Sequence, residues 1–462
     1  MSNPTAEPGA TRGVAGSRTG ARVPLAAVAV GAVLADSSIV TLALPELVRE
    51  FDASVAEVAW VLISFNLALA LAALPAATFV RRQGGTPVWV GGLVLFAGAS
   101  LTCALAPALG VRVAARCLQA IGGAFVVAAA FELISAEVGA RPAITVWGGA
   151  GIFGAAVGPA LGGALTELLS WQAIFVAQVP LLLLAVIGGV RRSAALERSP
   201  ADRAPLGVLG GLALISAALT AALFLLVIML IEGWRLSPLE AAGVVSIMPI
   251  AALLTAQLGN RIGGERLRAA TGAIAVAGGL AALGLLPDAH VAWTIAPQLL
   301  IGVGRGLTLT ALTEAALAGA GPVAQRAAAS IAARHAGVVL GLALLTPLFT
   351  ADLQDQEVAA QRAGSALLLD ARLRPGLKIE LGERLAERVQ RADGRLPNLR
   401  PAFRDLDADA EERAPLTRLR RELTEEVERA ATQAFSRSLL AGGGLALLVL
   451  GCVLLPWRRR MR

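Results

Sequence analysis

The chain is divided into blocks of about twenty apolar residues, separated by short charged stretches. A helix of about this length crosses the hydrocarbon core of a bilayer. Because backbone N–H and C=O groups in lipid must be satisfied within their own segment, each block is expected to be an α-helix. Charged residues make up 16% of the chain, against about 25% in soluble domains. The pattern predicts a polytopic all-α integral membrane protein.

Twelve such blocks divide into two groups of six. The predicted spans are 24–45, 57–78, 87–107, 111–135, 142–166, 171–190, 206–231, 239–259, 269–287, 291–318, 327–350 and 436–457. The predicted division of the chain is a tail at 1–23, a first six-helix bundle at 24–190, a linker at 191–205, a second bundle at 206–350 and 436–457, a helical insert at 351–435 and a tail at 458–462.

The placement of arginine predicts the orientation. Clusters at 81–82, 191–192 and 458–460 all fall on one side of the predicted spans, while the short loops on the other side hold few arginines. Short cytoplasmic loops carry an excess of Lys and Arg. We therefore predict a multi-pass inner-membrane protein with both termini in the cytoplasm, and this places the insert on the extracytoplasmic side.

The insert at 351–435 differs in composition from the spans. It holds 17 acidic and 15 basic residues, and a charge every two or three residues prevents it from crossing a membrane. Apolar residues recur at helical spacing in two stripes: Leu377, Leu381, Leu385 and Val389, and then Leu416, Leu419, Leu423 and Val427. This spacing predicts two amphipathic helices separated by a turn at 397–401. A hairpin that packs on itself and a module that contacts a partner or lipid both remain open.

An internal repeat relates the two halves. Arg82-Gln83-Gly84-Gly85 follows span two, and Arg261-Ile262-Gly263-Gly264 follows span eight. Gly122 and Glu132 in span four have counterparts in Gly304 and Glu314 in span ten, with the same separation in each pair. Both matches have an offset of six spans. Many transporters are built from such repeats, with the substrate site between the halves.

Four motifs resemble those of a known family. They lie at 34–45 (LADSSIVTLALP), 116–122 (RCLQAIG), 154–163 (GAAVGPALGG) and 171–180 (WQAIFVAQVP). The chain resembles the major facilitator superfamily in its drug/proton antiporter branch, and the 154–163 motif is the most specific. The resemblance implies two six-helix bundles and a gating role for Arg82, Gly84, Arg261 and Gly263 in the loops after spans two and eight. The usual acidic residue is Arg81 in the first loop and Asn260 in the second, which implies altered gating or coupling.

Asp36 and Arg116 are candidates for a proton and substrate site. A charged residue at a helix centre is costly in lipid, so Asp36 should face a cavity or a partner. Arg116 in span four reaches a similar depth, and the two could pair if the spans are neighbours, as they are in the resembled fold. A substrate that broke the pair would change the affinity of Asp36 for a proton. A static ion pair that only fixes packing is the alternative.

Three further charged residues lie within the spans. Arg305 is near the middle of span ten, where we expect it to face the cavity and to favour an anionic group on the substrate or the protein. Glu132 and Glu314 lie near the predicted cytoplasmic ends of spans four and ten. A functional role and a simple salt bridge to a loop arginine are both open for them.

Gly154, Gly158 and Gly162 recur every four residues around Pro159. Small residues at this spacing form a flat face for close helix packing, and proline kinks a helix. Plain packing is one interpretation. The resemblance implies another, in which the bend seals the interface between the halves during transport.

Several classes of function are not indicated. There is no phosphate-binding loop of the G-x-x-x-x-G-K-[ST] type, and no catalytic triad or metal-ligand cluster is evident. Most arginines outside the insert sit at helix ends, so the net charge of +7 does not indicate nucleic-acid binding. We predict no enzymatic activity, cofactor, metal or nucleic-acid partner. The expected partners are the bilayer, a small-molecule substrate and protons, and the insert is a candidate contact for a partner or lipid.

The leading hypothesis is therefore a proton-coupled secondary transporter that exports an amphipathic small molecule or drug by alternating access. Arg116 and Arg305 suggest an alternative, transport of an anionic metabolite or lipid. A third hypothesis is a membrane receptor or scaffold that acts through the insert and does not transport.

Overall fold

The computed structural model describes residues 15–188, 203–258, 263–319, 323–391, 398–404, 406 and 409–455, and helices joined by short turns make up these ranges. The helices of the first half are α1 Ala15–Thr41, α2 Leu44–Glu50, α3 Val55–Gln83, α4 Gly85–Leu105, α5 Leu109–Val138, α6 Ala140–Leu168 and α7 Ala173–Gly188. The helices of the second half are α8 Leu206–Ile228 with a π-helical turn Met229–Gly233, α9 Pro238–Val245, α10 Ile247–Leu258, α11 Glu265–Gly284, α12 Val291–Leu317, α13 Val323–Asp370, α14 Pro375–Gln390, a 3₁₀ turn Arg400–Phe403, α15 Arg413–Ala434 and α16 Ser436–Leu454.

The all-helical membrane fold that the sequence predicts is confirmed, but the count of twelve spans is not. Within the described ranges, eleven helical stretches are long and apolar enough to cross a membrane. Helix α7, where we predict span six, is apolar but has only 16 described residues. The linker residues 191–202 and the tails 1–14 and 456–462 lie outside the described residues.

The two halves pack in the same order. In the first half α1 packs on α6 and α4 packs on α5, and in the second half α8 packs on α13 and α11 packs on α12. Helices α3 and α13 form the main contact between the halves, with α6 against α9 and α10 as a further contact. These matched contacts show that the repeat seen in two short motifs is a repeat of the packing itself.

Glycines at equivalent places in the two halves make this packing close. Gly84 and Gly263 lie just before the corresponding helices α4 and α11, with φ of 86° and 61°, a conformation that side chains with a Cβ rarely adopt. A Cβ at Gly122 would lie 2.9 Å from the carbonyl oxygen of Gly92. A Cβ at Gly304 would lie 2.4 Å from the carbonyl oxygen of Gly272. The same glycine pair therefore brings α5 against α4 and α12 against α11.

We call the side where α1 begins and α16 ends the terminal face, and the opposite side the insert face. The sequence analysis divides the chain at residue 351, but α13 runs through this point to Asp370 without a break. Residues 351–363 contain neither proline nor glycine, so nothing in the sequence ends the helix there. The twenty residues beyond 350 extend the helix by about 30 Å at 1.5 Å per residue. The insert is therefore continuous with the last two predicted spans.

The insert has a small apolar core of its own. Leu377 and Leu381 of α14 are buried together with Leu419 and Leu423 of α15, so the two predicted stripes face each other. The two helices are Pro375–Gln390 and Arg413–Ala434, and the predicted turn at 397–401 lies between them. The Glu412 carboxylate accepts hydrogen bonds from the backbone N–H groups of residues 374 and 409. These hydrogen bonds lower the pKa of that carboxyl below its ordinary value.

Polar and aromatic contacts join the base of the insert to the spans. Phe349 and Phe435 stack with ring centroids 4.5 Å apart. Trp234 donates a hydrogen bond from Nε1 to Thr432 Oγ1 at 3.0 Å. Arg437 forms a salt bridge of 2.8 Å to Asp352. These contacts lie at the two ends of the insert, outside its leucine core.

Replacement of residues 360–430 by a short Gly/Ser linker is therefore expected to leave the bundle folded. The exchange removes the leucine core as a unit and keeps the contacts at the base. Shortening a flexible loop changes its closure free energy by only about 0.6 kcal/mol per factor of two. Membrane fractionation and the elution volume of the purified protein measure the result. Aggregation of the shortened protein would contradict the prediction and would mean that the stripes are needed by the spans.

Candidate functional site

Asp36 and Arg116 form an ion pair in the first bundle. Asp36 lies on α1 and Arg116 on α5, and both side chains are 0% exposed. Arg116 Nη1 donates to Asp36 Oδ2. Arg116 Nε donates to the carbonyl oxygen of Val61 on α3 at 3.1 Å, and the guanidinium lies 4.0 Å from the centroid of the Phe65 ring. The sequence-based expectation that these two residues can pair is thus met by the geometry.

Two glutamines complete the surroundings of the carboxylate. Gln119 Nε2 donates to Asp36 Oδ1 at 3.3 Å, and Gln178 Nε2 donates to the same oxygen at 3.0 Å. Gln119 Oε1 in turn accepts from Arg116 at 2.6 Å. Arg116 Nη2 and Gln178 Oε1 are buried without a hydrogen-bond partner in the described part of the chain. Such unsatisfied groups are uncommon in cores, and they leave this network able to exchange partners.

A cavity of about 120 Å³ lies between the two halves, next to this network. Ser37 and Ser38, the two residues that follow Asp36, line it from α1, while Arg305 and Arg334 line it from α12 and α13. Among the described residues, neither Asp nor Glu lines the cavity. The remaining lining residues are Leu34, Thr41, Leu62, Asn66, Ala155, Ser216, Leu219, Thr220, Leu223, Phe224, Leu309, His335 and Val338.

A hydrogen bond joins the two halves across this cavity. His335 of α13 lies with Nδ1 2.6 Å from Asn66 Oδ1 on α3. The amide nitrogen of Asn66 donates to the carbonyl oxygen of Leu62 at 2.8 Å and to Ser37 Oγ at 3.2 Å. Because Oδ1 is an acceptor, we assign the imidazole proton to Nδ1 of His335. The turn that carries Asp36 is thus linked through Asn66 to the second half.

The halves also meet above and below the cavity. Toward the terminal face, Ala327 and Ile331 of α13 lie with Phe131 and Trp147 around a residual space of only about 10 Å³. Toward the insert face, Glu167 accepts a hydrogen bond of 2.8 Å from the backbone N–H of Leu239. The cavity therefore lies between two places where the halves are in contact.

Glu132 and Glu314 do not line this cavity. Glu132 is buried beside the start of α4, where a Cβ at Gly85 would meet its carboxyl group at 3.4 Å. Glu314 forms a salt bridge of 2.6 Å with Arg268 of α11. Both residues lie near the terminal face, in equivalent helix pairs of the two halves. The geometry favours the salt-bridge interpretation for Glu314.

The loop residues that the family resemblance singles out lie at the terminal face. Arg82 is exposed at the end of α3, and Gly84 and Gly263 occupy the left-handed turns described above. Arg261 lies outside the described residues. A gating role for this set stays a prediction.

The glycine face of α6 packs on α1, the helix that carries Asp36. A Cβ at Gly154 would lie 2.1 Å from the carbonyl oxygen of Gly31, and one at Gly162 would lie 2.4 Å from that of Ile39. Gly158 faces Ser38, and a Cβ at Gly158 would lie 2.8 Å from the Cβ of that serine. Pro159 lies inside α6, which continues through it to Leu168. This close face holds α1 at a fixed distance.

Substitution of Gly154 by alanine is expected to destabilise the first bundle by about 1–3 kcal/mol, the usual cost of overpacking. The new methyl group would overlap backbone atoms of α1, which cannot move away as a flexible side chain can. Gly148→Ala on the same helix is the matched control, because nothing lies within 4 Å of its Cβ position. Thermal unfolding of both purified variants measures the difference. Equal melting temperatures would contradict this packing.

Five residues of the site are not singled out by the sequence: Asn66, Gln119, Gln178, Arg334 and His335. The glutamines sit within the recognised motifs at 116–122 and 171–180, but nothing in their spacing shows that they meet Asp36. Arg334 does carry a signal, since it is an arginine in the middle of an apolar block. His335 shows none, because its partner Asn66 is far away in the sequence.

Two helical repeats that enclose a central cavity are the architecture of secondary transporters. The family model of the Major Facilitator Superfamily matches residues 26–346. The chain belongs to the major facilitator superfamily, a family of transporters, and it is a multi-pass membrane protein. The resemblance seen in the four motifs is thereby confirmed.

Three relatives are drug efflux or export proteins. The drug efflux pump JefA of Mycobacterium tuberculosis is 33% identical over 154 residues, which are 32% of this chain and 30% of JefA. The tetracenomycin C resistance and export protein of Streptomyces glaucescens is 32% identical over 42% of this chain and 37% of its own length. The cephamycin export protein CmcT of Amycolatopsis lactamdurans is 31% identical over 41% of this chain and 39% of its own length. The matches thus span less than half of each relative.

Solved structures agree on the fold. A bacterial homologue of the human lysosomal transporter Spinster, in an inward-facing and unoccupied conformation, superposes with a TM-score of 0.64 over 96% of this chain and 98% of that chain. Its sequence identity of 14% restricts this likeness to the fold.

Proposed function

We propose that this protein exports an amphipathic small molecule in exchange for protons, by alternating access between the terminal face and the insert face. The observation that carries the proposal is the buried Asp36–Arg116 pair, since Ser37 and Ser38 on the same turn line the central cavity. A proton acceptor and a cargo-contacting surface then lie on one helix turn. The drug efflux and export activities for which these relatives are named support drug export as the general activity.

The ion pair provides two states that differ by one proton. When Asp36 is ionised, its negative charge balances the positive charge of Arg116, and the ion pair holds α1 to α5. Protonation of the carboxyl would leave a buried guanidinium without its counter-charge, which is strongly unfavourable in a low-dielectric interior. Arg116 would then seek other acceptors, and the α1–α5 contact would loosen. Cargo in the cavity contacts the same turn, so cargo and proton would bias the same equilibrium.

Transport driven by a proton gradient tests this proposal. Inside-out vesicles from cells that express the protein are given an acid-inside pH jump in the presence of 8-anilinonaphthalene-1-sulfonate or its uncharged parent N-phenyl-1-naphthylamine. Accumulation of at least one dye above control vesicles is expected, and an uncoupler should abolish it. Accumulation that persists unchanged with the uncoupler would rule out proton coupling. The predicted cytoplasmic location of both termini makes the terminal face the side of dye entry.

The insert carries a second candidate function. Helices α13, α14 and α15 enclose an apolar cavity of about 340 Å³, lined by leucines such as Leu353, Leu385 and Leu423. A receptor or scaffold that acts through this module would depend on the insert and would not need to transport a molecule. The shortened protein described above separates the two functions. If that protein still transports dye, the result favours a transporter whose insert is not needed for transport. If it is folded but no longer transports dye, the insert has a role in function.

A further inference from the structure

We propose that Arg305 and Arg334 form an anion-binding pair in the central cavity, and that the cargo is an amphipathic molecule with a carboxylate, sulfonate or phosphate group. The inference rests on the proposed function in taking this cavity as the cargo site. It adds the chemical class of the cargo and a residue, Arg334, that neither the sequence motifs nor the relatives indicate.

The first argument is the pairing of the other arginines. Each of the four buried arginines of the described bundle donates to an acceptor within the chain. Arg112 donates to the carbonyl oxygen of Cys103, Arg116 to Asp36, Arg268 to Glu314 and Arg326 to the carbonyl oxygen of Leu317. Arg305 and Arg334 have no such acceptor among the described residues, although both lie in the middle of spans. Their half-buried side chains face the cavity instead.

The second argument is the charge of the cavity. Two guanidinium groups line it, and no described Asp or Glu offsets them. Like charges held in a low-dielectric space are unfavourable unless an anion is placed between them. A protein that keeps two such groups in the membrane therefore indicates a site for a negative charge. Arginine suits this role because its planar donors match the oxygens of carboxylate, sulfonate and phosphate groups.

The third argument is the rest of the lining. Hydroxyl groups of Ser37, Thr41 and Thr220 offer neutral hydrogen bonds, while Leu219, Leu223, Phe224, Leu309 and Val338 form an apolar wall. A wholly polar anion would leave that wall in contact with charge and water. An anionic head with an apolar body satisfies both parts of the cavity.

The test compares two dyes that share a ring system and differ in charge. Purified full-length protein in nanodiscs of phosphatidylcholine is titrated with 8-anilinonaphthalene-1-sulfonate and with N-phenyl-1-naphthylamine, and empty nanodiscs supply the blank. Arg305→Gln and Arg334→Gln are each expected to weaken sulfonate binding at least about tenfold, which corresponds to about 1.4 kcal/mol. Binding of the uncharged dye should change by less than about twofold. The control Arg362→Gln removes the same charge from an exposed site on α13 and should change neither.

Stability provides a second readout that does not depend on dye fluorescence. Each Arg→Gln variant should melt at a higher temperature than the wild type when empty, because it removes one of two mutually repelling charges. The sulfonate should raise the melting temperature of the wild type more than the uncharged dye does, and it should do so less in the variants. Arg305→Lys and Arg334→Lys keep the charge and should retain part of the sulfonate binding.

Nanodiscs that contain phosphatidylglycerol identify the source of the anion. Weaker sulfonate binding in these discs, beyond the decrease that empty discs of the same lipids show, would assign the site to an anionic lipid headgroup, and unchanged binding would assign it to a soluble amphiphile. Unaltered sulfonate affinity in folded Arg305→Gln and Arg334→Gln overturns the proposal. An equal loss for both dyes also overturns it, since the arginines would then only shape the cavity. Sulfonate binding to the wild type in nanodiscs needs no proton gradient, and accumulation of the uncharged dye in vesicles needs no anion site, so a failure of proton coupling is distinguishable from a failure of this inference.

Discussion

Replacement of Asp36 by asparagine is expected to reduce proton-driven dye accumulation to the level of vesicles without the protein. The carboxyl group is the only carboxylic acid in the buried network around Arg116 among the described residues. An amide of nearly the same shape cannot take up and release a proton at any physiological pH. Arg116 would then keep one constant environment, and the exchange between two states would lose its driving force.

The same variant is expected to stay folded. The new amide can direct its oxygen toward Arg116 and its NH₂ group toward Gln178. The Gln178 Oε1 atom has no hydrogen-bond partner in the described chain, and a flip of this side-chain amide would turn that oxygen into the required acceptor. Melting temperature and elution profile check the fold, and dye accumulation under the acid-inside pH jump checks transport.

Asp370→Asn is the matched control for this loss. Asp370 is an exposed acid at the end of α13, outside the bundle, and its removal should leave transport unchanged. Wild-type accumulation by the Asp36→Asn protein would show that the ion pair is only structural and would remove the basis of the coupling proposal.

Replacement of Arg116 by alanine is expected to impair folding as well as transport. Removal of one partner of a buried pair leaves the other charge uncompensated, which typically costs about 3–5 kcal/mol. The substitution also removes the hydrogen bond to the carbonyl oxygen of Val61 and the packing on the Phe65 ring. Unfolding in mixed micelles with increasing denaturing detergent measures the change in the free energy of unfolding.

A double-mutant cycle separates the charge from the packing. The Asp36→Asn/Arg116→Ala protein should lose less stability than the sum of the two single losses, because the double change leaves no uncompensated charge. Arg116→Met fills most of the same volume without the charge, so it should remain nearly as unstable as Arg116→Ala. Additive single effects, or a stable Arg116→Met protein, would contradict a dominant role for the ion pair.

Much of the fold can be predicted from the sequence because a bilayer imposes simple rules on the chain. Apolar blocks must be helices, and short motifs at equivalent places reveal the repeat. Gly84 and Gly263 are an example, since a backbone with positive φ selects glycine locally. The boundary of the insert is harder to predict from the sequence. The composition changes at about residue 351, but a helix ends only where a breaker or cap ends it, and α13 has neither there.

The candidate site can be predicted from the sequence only in part, for a related reason. Asp36, Arg116 and Arg305 stand out as charges inside apolar blocks. Their neighbours Gln119, Gln178 and Asn66 are neutral polar residues of ordinary kinds, and their roles become visible only through the contacts that packing supplies. Which of several mid-span charges is paired and which faces a cavity depends on the rotation of each helix about its axis, and sequence position alone does not determine that rotation.

Local composition and the cost of burying polar groups were enough to predict the membrane environment, the helical class, the repeat and the presence of charges in the spans. The packed helices decided three points that the sequence left open or did not raise: Asp36 meets Arg116, Glu314 is bound by Arg268, and Arg305 and Arg334 face one cavity. A charge within a membrane must find a counter-charge, a polar group or a ligand. Because the helices that supply these partners are distant in the sequence, only their packing shows which of the three each charge has found.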